Sequence, residues 1–164
     1  MSHYTFELAT SAADLEAHFE LRRQIFCEEQ GLFEGSDRDE HDTYGYPIVA
    51  RYHSSDAEPT VIGVVRIYEV SPRLWYGGRL GTHPDFRRGW RIGKGLIHEA
   101  VTTANTWGCD RFLATVQEQN VRFFQRLHWN SLEAIEIRGL AHHRMEADLV
   151  YYPAMAAQSR PTAA

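Results

Sequence analysis

The sequence predicts a mixed α/β domain, in which a mostly antiparallel, twisted sheet of about seven strands carries flanking helices and one parallel crossover. Three observations predict this fold. Short runs rich in β-branched and aromatic residues alternate with polar turns, other stretches carry apolar residues at helical spacing, and one such stretch joins two strand-like runs. A connection of strand, helix and strand places its two strands parallel in one sheet.

The size and composition fit one globular domain. The chain has 164 residues, of which 43% are apolar and 12% aromatic, enough for one core and too few for two domains. We expect a single domain over residues 1–153 and a disordered tail over residues 154–164. The formal net charge of -5 argues against a general nucleic-acid binder. The N-terminus has no basic segment followed by a long apolar run, so we expect a soluble cytoplasmic protein without a membrane partner.

The front of the chain predicts a strand followed by a helix. Tyr4 to Ala9 alternates apolar and polar residues, and Thr10-Ser11 then offers a helix cap. One face of the helix is made of residues at helical spacing, namely Leu15, Phe19, Arg22, Phe26 and Glu29. Arg22 and Glu29 are therefore expected to face inward, either in a buried ion pair or in a functional role. Glu29 is our candidate general base or anchor for an acceptor ammonium, because partial burial raises the pKa of a carboxyl group.

Opposite charges concentrate in two stretches. Residues 28–42 hold seven carboxylates, and residues 87–94 hold four cations. This asymmetry indicates that the basic stretch binds an anionic ligand and that the acidic stretch has a separate function. The alternative is that both stretches are simply solvated surfaces. From Gly31 to Tyr46 the acidic stretch is weakly periodic, which predicts a loop or short irregular helix that covers a cleft.

Two strands are predicted after the acidic loop. Pro47 to His53 and Val61 to Val70 indicate an antiparallel hairpin. Arg66 lies inside the second strand and must be paired there, with Asp39 and Asp42 as candidate partners. Arg66 and Arg79 are alternatively candidates for binding an acceptor carboxylate bidentately.

The second half of the chain alternates strands and helices. The predicted elements are a strand over Arg73–Thr82, interrupted by Gly77-Gly78, a helix over Ile92–Trp107, a strand over Arg111–Val116, a helix over Gln119–Leu127, and strands over Ser131–Arg138 and Arg144–Tyr152. The turn between the last two strands, residues 139–143, contains His142 and His143. Either histidine is a candidate acid or base near neutral pH, and the alternative is a solvated turn.

The stretch from Leu80 to Leu96 predicts an anion site. It follows a strand, opens a helix, and combines glycines with the four cations Arg87, Arg88, Arg91 and Lys94. A helix start offers unpaired N–H donors and the positive end of its dipole, and glycines let the backbone approach a ligand closely. Cys27 and Cys109 are far apart and lack metal-binding spacing, so we expect neither a disulfide nor a metal site.

The same stretch carries a family resemblance. His83 to Leu96, HPDFRRGWRIGKGL, resembles the pyrophosphate motif of the GNAT acyltransferase superfamily. Arg88 and Gly93 match that motif, whereas Arg91 stands in the place of its first glycine. Asn120 to Trp129 resembles the second GNAT signature, although Phe124 replaces the tyrosine that commonly protonates the departing thiolate.

The front of the chain narrows the resemblance. Leu21 to Gly31 and Asp39 to Asp42 are similar to a GNAT subset with Phe-x-x-Glu-Gln and Asp-x-x-Asp segments, and more loosely to acyl-homoserine-lactone synthases. The chain also resembles the nitrogen-starvation N-acetyltransferase-like group of bacterial nitrilase gene clusters, with which it shares Glu-Glu-Gln-Gly-Leu-Phe, Asn-Val-Arg-Phe-Phe and a His-containing late turn.

The resemblance implies an N-acyltransferase that moves an acyl group, acetyl by preference, from acetyl-CoA or another acyl-CoA to the amine of a small molecule by direct attack. The donor site it implies comprises Leu80, Gly81, Thr82, Arg87, Arg88, Gly89, Trp90, Arg91, Ile92, Gly93, Lys94, Gly95, Asn120, Phe123, Phe124 and Arg126. The candidates for the chemistry are Glu29, Arg66, Arg79, His142 and His143. Asn120 is alternatively a simple helix cap.

Two other functions stay open at this point. Arg91 and its neighbouring cations are compatible with an aminoacyl-tRNA or a carrier-bound acyl donor, which is the one setting in which a nucleic acid would bind. The missing tyrosine and glycine are compatible with a CoA-binding or regulatory module without catalysis. A homodimer is also left open.

Overall fold

The chain forms one seven-stranded sheet with α-helices beside it. The computed structural model describes residues 1–156 and 160–161. Its strands are β1 (His3–Leu8), β2 (Tyr46–Ser54), β3 (Ala57–Ser71), β4 (Leu74–Thr82), β5 (Arg111–Gln117), β6 (Trp129–Ile137) and β7 (Leu140–Ala147), and its α-helices are α1 (Ala12–Arg22), α2 (Arg91–Thr106) and α3 (Val121–Arg126). The sheet order is β1-β2-β3-β4-β5-β7-β6. The predicted fold class is therefore confirmed.

The pairing of the strands also follows the prediction. β4 and β5 pair in parallel through four residue pairs, from Leu74–Arg111 to Gly77–Ala114, across the α2 crossover. β2 pairs antiparallel with both β1 and β3. β7 pairs antiparallel with both β5 and β6.

The described residues group into two compact units. The first comprises residues 1–68 and 79–100, and its core is built on apolar side chains of β2, β3 and α2, including Ile48, Val64 and Leu96. The second comprises residues 69–78 and 101 onward, and its core includes Trp75 and Phe112. The single domain over residues 1–153 stays a prediction.

The first helix changes its winding halfway. Ser11 caps α1 by accepting a hydrogen bond from the backbone N–H of Asp14, at 3.1 Å. α1 ends at Arg22 and continues as a π-helix over Arg23–Glu29, in which the N–H of Gln30 donates to the carbonyl of Ile25 at 2.9 Å. A π-helix encloses one more residue per hydrogen bond than an α-helix. Side chains in this segment therefore leave the faces that α-helical spacing predicts.

The C-terminal hairpin differs from its prediction. β7 begins at Leu140, so His142 and His143 lie on a strand rather than on the turn that we expected. The turn is shorter and contains Arg138 and Gly139, both with positive φ, as two-residue hairpin turns require. The predicted strand over Arg144–Tyr152 ends at Ala147, and Leu149–Tyr151 forms a 3-10 turn.

The end of the chain makes contacts where the structure describes it. The N–H of Met155 donates to Oγ1 of Thr106 at 2.9 Å, and Arg160 pairs with Glu69 at 3.0 Å. Residues 157–159 and 162–164 of the predicted disordered tail lie outside the described residues, so disorder over 154–164 stays a prediction. Within residues 1–156 and 160–161, no helix combines the length and apolar character needed to cross a bilayer.

Candidate functional site

The loop between β4 and α2 forms the candidate anion site. It contains two 3-10 turns, Pro84–Phe86 and Arg88–Trp90. Gly89 has a φ of 81°, a left-handed conformation that glycine adopts without steric cost. α2 then begins at Arg91 with ordinary helical angles, φ -58° and ψ -43°. The backbone at Arg91 therefore needs no glycine, and the arginine there leaves the loop geometry intact.

All four cations of this loop and the first turn of α2 are exposed, and one of them, Arg87, forms an ion pair. Arg88, Arg91 and Lys94 lie at the surface, with the guanidinium of Arg91 4.8 Å above the ring of Tyr4. Arg87 instead donates two hydrogen bonds to the carboxylate of Glu29, at 2.5 and 2.6 Å. Its Nε donates to the carbonyl of Thr82 at 2.8 Å.

The glycines of this region serve different purposes. A Cβ on Gly93 would meet no atom within 4 Å, so the backbone there faces open space. A Cβ on Gly95 would collide with the ring of Phe6, and one on Gly81 would approach Cδ1 of Ile25 to 2.8 Å. Gly93 therefore leaves room for a ligand, whereas Gly81 and Gly95 allow close packing.

Glu29 does not have the environment that we expected. Its side chain is 39% exposed, because the π-helix turns it away from the inward face that Arg22 and Phe26 share. Hydrogen bonding from Arg87 lowers the pKa of Glu29, whereas we expected burial to raise it. A carboxylate with a lowered pKa is a weak base. The structure therefore favours a role for Glu29 in binding Arg87.

A cavity of about 360 Å³ lies beside this ion pair. Its lining is made of Leu21, Gln24, Ile25, Glu28, Glu29, His83 and Pro84. The helical segment after α1 thus forms one wall, and the first residues after β4 form the other.

The acidic loop holds a buried network of charges. Arg22 is fully buried and donates from Nε to Asp37 at 2.7 Å and from Nη1 to Asp42 at 2.7 Å. Asp37 is 2% exposed. Burial alone would raise the pKa of Asp42, but the hydrogen bonds from Arg22 and from the backbone of Asp39, together with the charges of Arg22 and Arg66, hold that pKa below its ordinary range. Arg22 thus joins Asp37 and Asp42 by direct hydrogen bonds.

Two arginines of the sheet complete this network. Arg66 donates from Nη1 and Nη2 to Asp39 at 2.6 and 2.8 Å and lies 3.0 Å from Asp42, so both predicted partners are confirmed. Its Nε is buried without a hydrogen-bond partner. Arg79 donates from Nε to Asp37 at 2.9 Å and from Nη2 to the carbonyl of Asp37 at 2.7 Å. Burial, together with the charge of Arg66, lowers the pKa of Arg79. Both guanidinium groups are thus committed to the protein rather than free for an acceptor carboxylate.

A neutral histidine borders the network. His18 is fully buried, and its Nδ1 lies 3.2 Å from the carbonyl of Ile48. Because a carbonyl only accepts, Nδ1 carries the proton. Burial, assisted by the charge of Arg22, lowers the pKa of His18 to about 4. His18 therefore adds no positive charge at neutral pH.

The remaining predicted site residues lie in the second unit. Asn120 precedes α3 without a side-chain capping bond. Phe124 is buried, with its ring edge-on to Trp129 at 5.1 Å. Phe123 is half-buried and Arg126 is exposed. Phe124, which stands where the resemblance implies a tyrosine, is thus a core residue.

The two histidines of β7 have different partners. Nδ1 of His142 lies 2.9 Å from the carbonyl of Leu140, so it donates there and leaves Nε2 as the acceptor of the neutral ring. Nδ1 of His143 lies 2.7 Å from Oγ of Ser131. The Nδ1 atoms of the two histidines thus contact different kinds of group, a backbone carbonyl and a serine hydroxyl.

Sequence reasoning missed Asp37 and His18. Asp37 stands in a run of carboxylates whose other members are mostly exposed, and nothing in the spacing distinguishes it. His18 has no motif around it, although its spacing of four residues before Arg22 would have placed both on one helix face. Within the described part of the chain, no group of three metal-ligating side chains could hold a metal ion.

Comparisons with known proteins agree with this architecture. Residues 11–129 match the model of the acetyltransferase (GNAT) family. No curated protein matches the chain.

Solved structures share the fold at low sequence identity. Escherichia coli ElaA is 20% identical, with a TM-score of 0.73 over 90% of this chain and 100% of its own. An acyl-CoA N-acyltransferase from Pseudomonas aeruginosa is 17% identical, with a TM-score of 0.72 over 90% and 100%. The CoA-dependent acyl-homoserine lactone synthase BjaI, solved with SAM and isopentyl-CoA, is 17% identical, with a TM-score of 0.68 over 93% and 86%. The finer resemblance to the nitrogen-starvation group stays a prediction. The family match extends from the helix at the front of the chain to the start of β6, and the chain belongs to the GNAT acetyltransferase family.

Proposed function

We propose that this acyltransferase moves an acyl group, acetyl by preference, from an acyl-CoA to the amine of a small molecule. The observation that carries the proposal is the start of α2. Arg88 lies just before this helix start, Arg91 and Lys94 lie in its first turn, and all three are exposed, while the position of Gly93 faces open space. Such a helix start binds a pyrophosphate through its N–H groups, its dipole and its cations.

The residues present fit an acyl-CoA. Arg88, Gly93 and Lys94 would hold its phosphates, and the backbone of Leu80 to Thr82 would hold the arm next to the thioester. Gly89 allows the loop to turn toward the phosphates because of its left-handed backbone. When bound, this co-substrate supplies a carbonyl that is activated for attack by its thioester bond.

The protein's part in the reaction is positioning and proton handling. The amine nitrogen forms a bond to the acyl carbon, the carbon–sulfur bond breaks, the amine loses one proton, and the sulfur leaves as a thiolate that solvent protonates. His142 is our candidate for the proton acceptor, at Nε2. Glu29 is unsuited to that role while Arg87 binds it, and Phe124 has no proton to give.

Calorimetric titration with acetyl-CoA and CoA tests the donor. Arg88→Ala and Gly93→Asp are each expected to weaken binding about tenfold or more, because the first removes a charge-assisted bond and the second places a carboxylate against the phosphates. Arg73→Ala is the matched control, since Arg73 is an exposed arginine of the β3–β4 turn, paired with Asp110 at 2.7 Å. Absent CoA binding, or equal loss in all three variants, would refute the assignment.

Two further measurements separate the alternatives. A steep salt dependence of tRNA binding would favour an aminoacyl-tRNA donor at the exposed cations. Absence of thioester turnover across a panel of amines, together with tight CoA binding, would favour the regulatory module. A cytoplasmic location, membership of the nitrogen-starvation group and a homodimer belong to the proposal, and light scattering after size exclusion tests the last of these.

A further inference from the structure

A residue with a strained backbone lies in the interior of β4. Among the described residues other than glycine, positive φ angles occur at Arg73, Arg79, Trp90, His128 and Arg138. Four of these lie in turns or next to helix ends, where such angles are common. Arg79, with a φ of 52°, lies inside a strand that runs from Leu74 to Thr82.

A left-handed residue in a strand changes the direction of the backbone after it. It rotates the following peptide plane and interrupts the regular alternation of N–H and C=O groups, as in a β-bulge. The peptide that follows Arg79 carries the N–H of Leu80, where the proposed donor segment begins. For a non-glycine residue this conformation is unfavourable, so contacts of the surrounding structure must stabilise it.

Hydrogen bonds from Arg79 to buried Asp37 stabilise the side chain of Arg79 in this conformation. The guanidinium of Arg79 donates twice to Asp37, once to Oδ2 of its side chain and once to its backbone carbonyl, at 2.9 and 2.7 Å. Oδ2 of Asp37 also accepts from Nε of fully buried Arg22 at 2.7 Å. Phe33 lies under the guanidinium of Arg79, 4.5 Å away. The side chain of Arg79 is therefore fixed on α1 through one buried carboxylate.

We propose that Asp37 is a positioning residue, which acts through Arg79 to hold the left-handed conformation in β4 and thereby to direct the N–H of Leu80 toward the carbonyl oxygen of the acyl donor. This inference rests on the proposed function for the identity of the donor. It assigns a task to a side chain that touches neither donor nor acceptor. A hydrogen-bond donor that is fixed before the reaction stabilises the negative charge that develops on that oxygen.

Substitutions at position 79 separate backbone conformation from side-chain chemistry. Glycine adopts a positive φ freely, whereas alanine does not. Arg79→Gly is therefore expected to retain most of the wild-type kcat, and Arg79→Ala to lose about a hundredfold, because the N–H is misdirected in the second variant alone. Arg73, with a φ of 69° in the β3–β4 turn, is the control site: Arg73→Gly and Arg73→Ala are expected to share the wild-type kcat. Equal losses in Arg79→Gly and Arg79→Ala would overturn the proposal, since the guanidinium itself would then act on the substrate.

Asp37→Asn tests whether Asp37 stabilises the left-handed backbone conformation of Arg79. It keeps the shape of the side chain and removes its charge, so we expect kcat to fall about a hundredfold while KM for the acyl-CoA changes less than about threefold. The double variant Asp37→Asn/Arg79→Gly is expected to recover most of the lost kcat, because glycine adopts a positive φ without stabilisation by Asp37. A crystal structure of Asp37→Asn gives a readout independent of turnover: a φ near its present value at Arg79 would overturn the inference. Failure of the wild type to bind CoA would instead refute the proposed function, and the crystal structure would still decide the role of Asp37.

Discussion

Replacing Arg22 with methionine is expected to lower the free energy of unfolding by about 3–5 kcal/mol at neutral pH. Arg22 is fully buried and lies 2.7 Å from both Asp37 and Asp42. Methionine fills a similar volume, but it leaves two carboxylates in the interior without this cation. The loss measures the cost of leaving Asp37 with Arg79 alone and Asp42 with Arg66 alone, rather than the strength of the ion pairs, because the intact network offsets its own desolvation.

The adjacent residue provides the matched control. Arg23 also pairs with two carboxylates, those of Glu20 and Glu28, each at 2.6 Å. Its side chain is 39% exposed, and solvent screens exposed ion pairs so that they contribute little to stability. Arg23→Met is therefore expected to lower the free energy of unfolding much less than Arg22→Met does. The two variants lose the same kind of group from neighbouring positions and differ in burial.

Urea unfolding followed by circular dichroism measures both variants across pH. The hydrogen bond from Arg22 is the largest of the contributions that together outweigh burial and hold the pKa of Asp42 below its unfolded value. The native protein therefore binds fewer protons than the unfolded chain in acid, and the stabilisation is present above the unfolded pKa and lost as pH falls. The gap between wild type and Arg22→Met should narrow below about pH 4. Equal losses in Arg22→Met and Arg23→Met, or a gap that does not change with pH, would refute the reasoning.

Three other expectations follow from burial. Gly95→Ala should lower the free energy of unfolding by about 1–3 kcal/mol in thermal melts, because its Cβ would collide with Phe6. Gly93→Ala should leave that free energy unchanged but should weaken acyl-CoA binding. Equal melting temperatures for the two variants would contradict the packing described for Gly95. His18 is neutral in the native state at neutral pH, because its pKa of about 4 lies below its unfolded value. The free energy of unfolding should therefore rise by about 3 kcal/mol between pH 4 and pH 6.5. His18→Gln should flatten that rise, and an unchanged slope in the variant would contradict the assignment to His18. Burial raises the pKa of Cys109 to about 11, so this thiol should resist alkylation in the native protein and react after unfolding, as peptide mass spectrometry would show.

Most of the fold could be predicted from local patterns. The hairpin of β2 and β3 and the parallel pairing of β4 with β5 follow from apolar periodicity and from one helical crossover. Even the partners of Arg66 could be predicted, because a cation inside a strand needs a carboxylate, and the acidic loop supplies Asp39 and Asp42.

The predictions for Glu29 and for the last hairpin turn were wrong because tertiary contacts override what residue spacing along the chain indicates. α-Helical periodicity placed Glu29 on the inward face, but the π-helix turns it outward toward Arg87. The turn of the last hairpin was predicted too long, because the polar run around His142 and His143 looks like a loop until β7 pairs with β5 and β6 on its two sides. The left-handed conformation of Arg79 has no sequence signal of its own beyond the preceding glycines.

The π-helix from Arg23 to Glu29 also matters for how the chain tolerates changes in length. A wider turn of this kind is equivalent to an insertion within a longer helix, absorbed without breaking it. Deleting one residue here would restore an ordinary α-helix with the later residues in register, whereas rewinding the segment as an α-helix at its present length would rotate every later side chain by about 100°. Arg87 would then lose Glu29, while Arg22 and its buried partners, which precede the segment, would stay in register. The number of residues between positions 23 and 29 thus determines which side chain contacts the loop before α2, independently of the buried network of Arg22, Asp37 and Asp42.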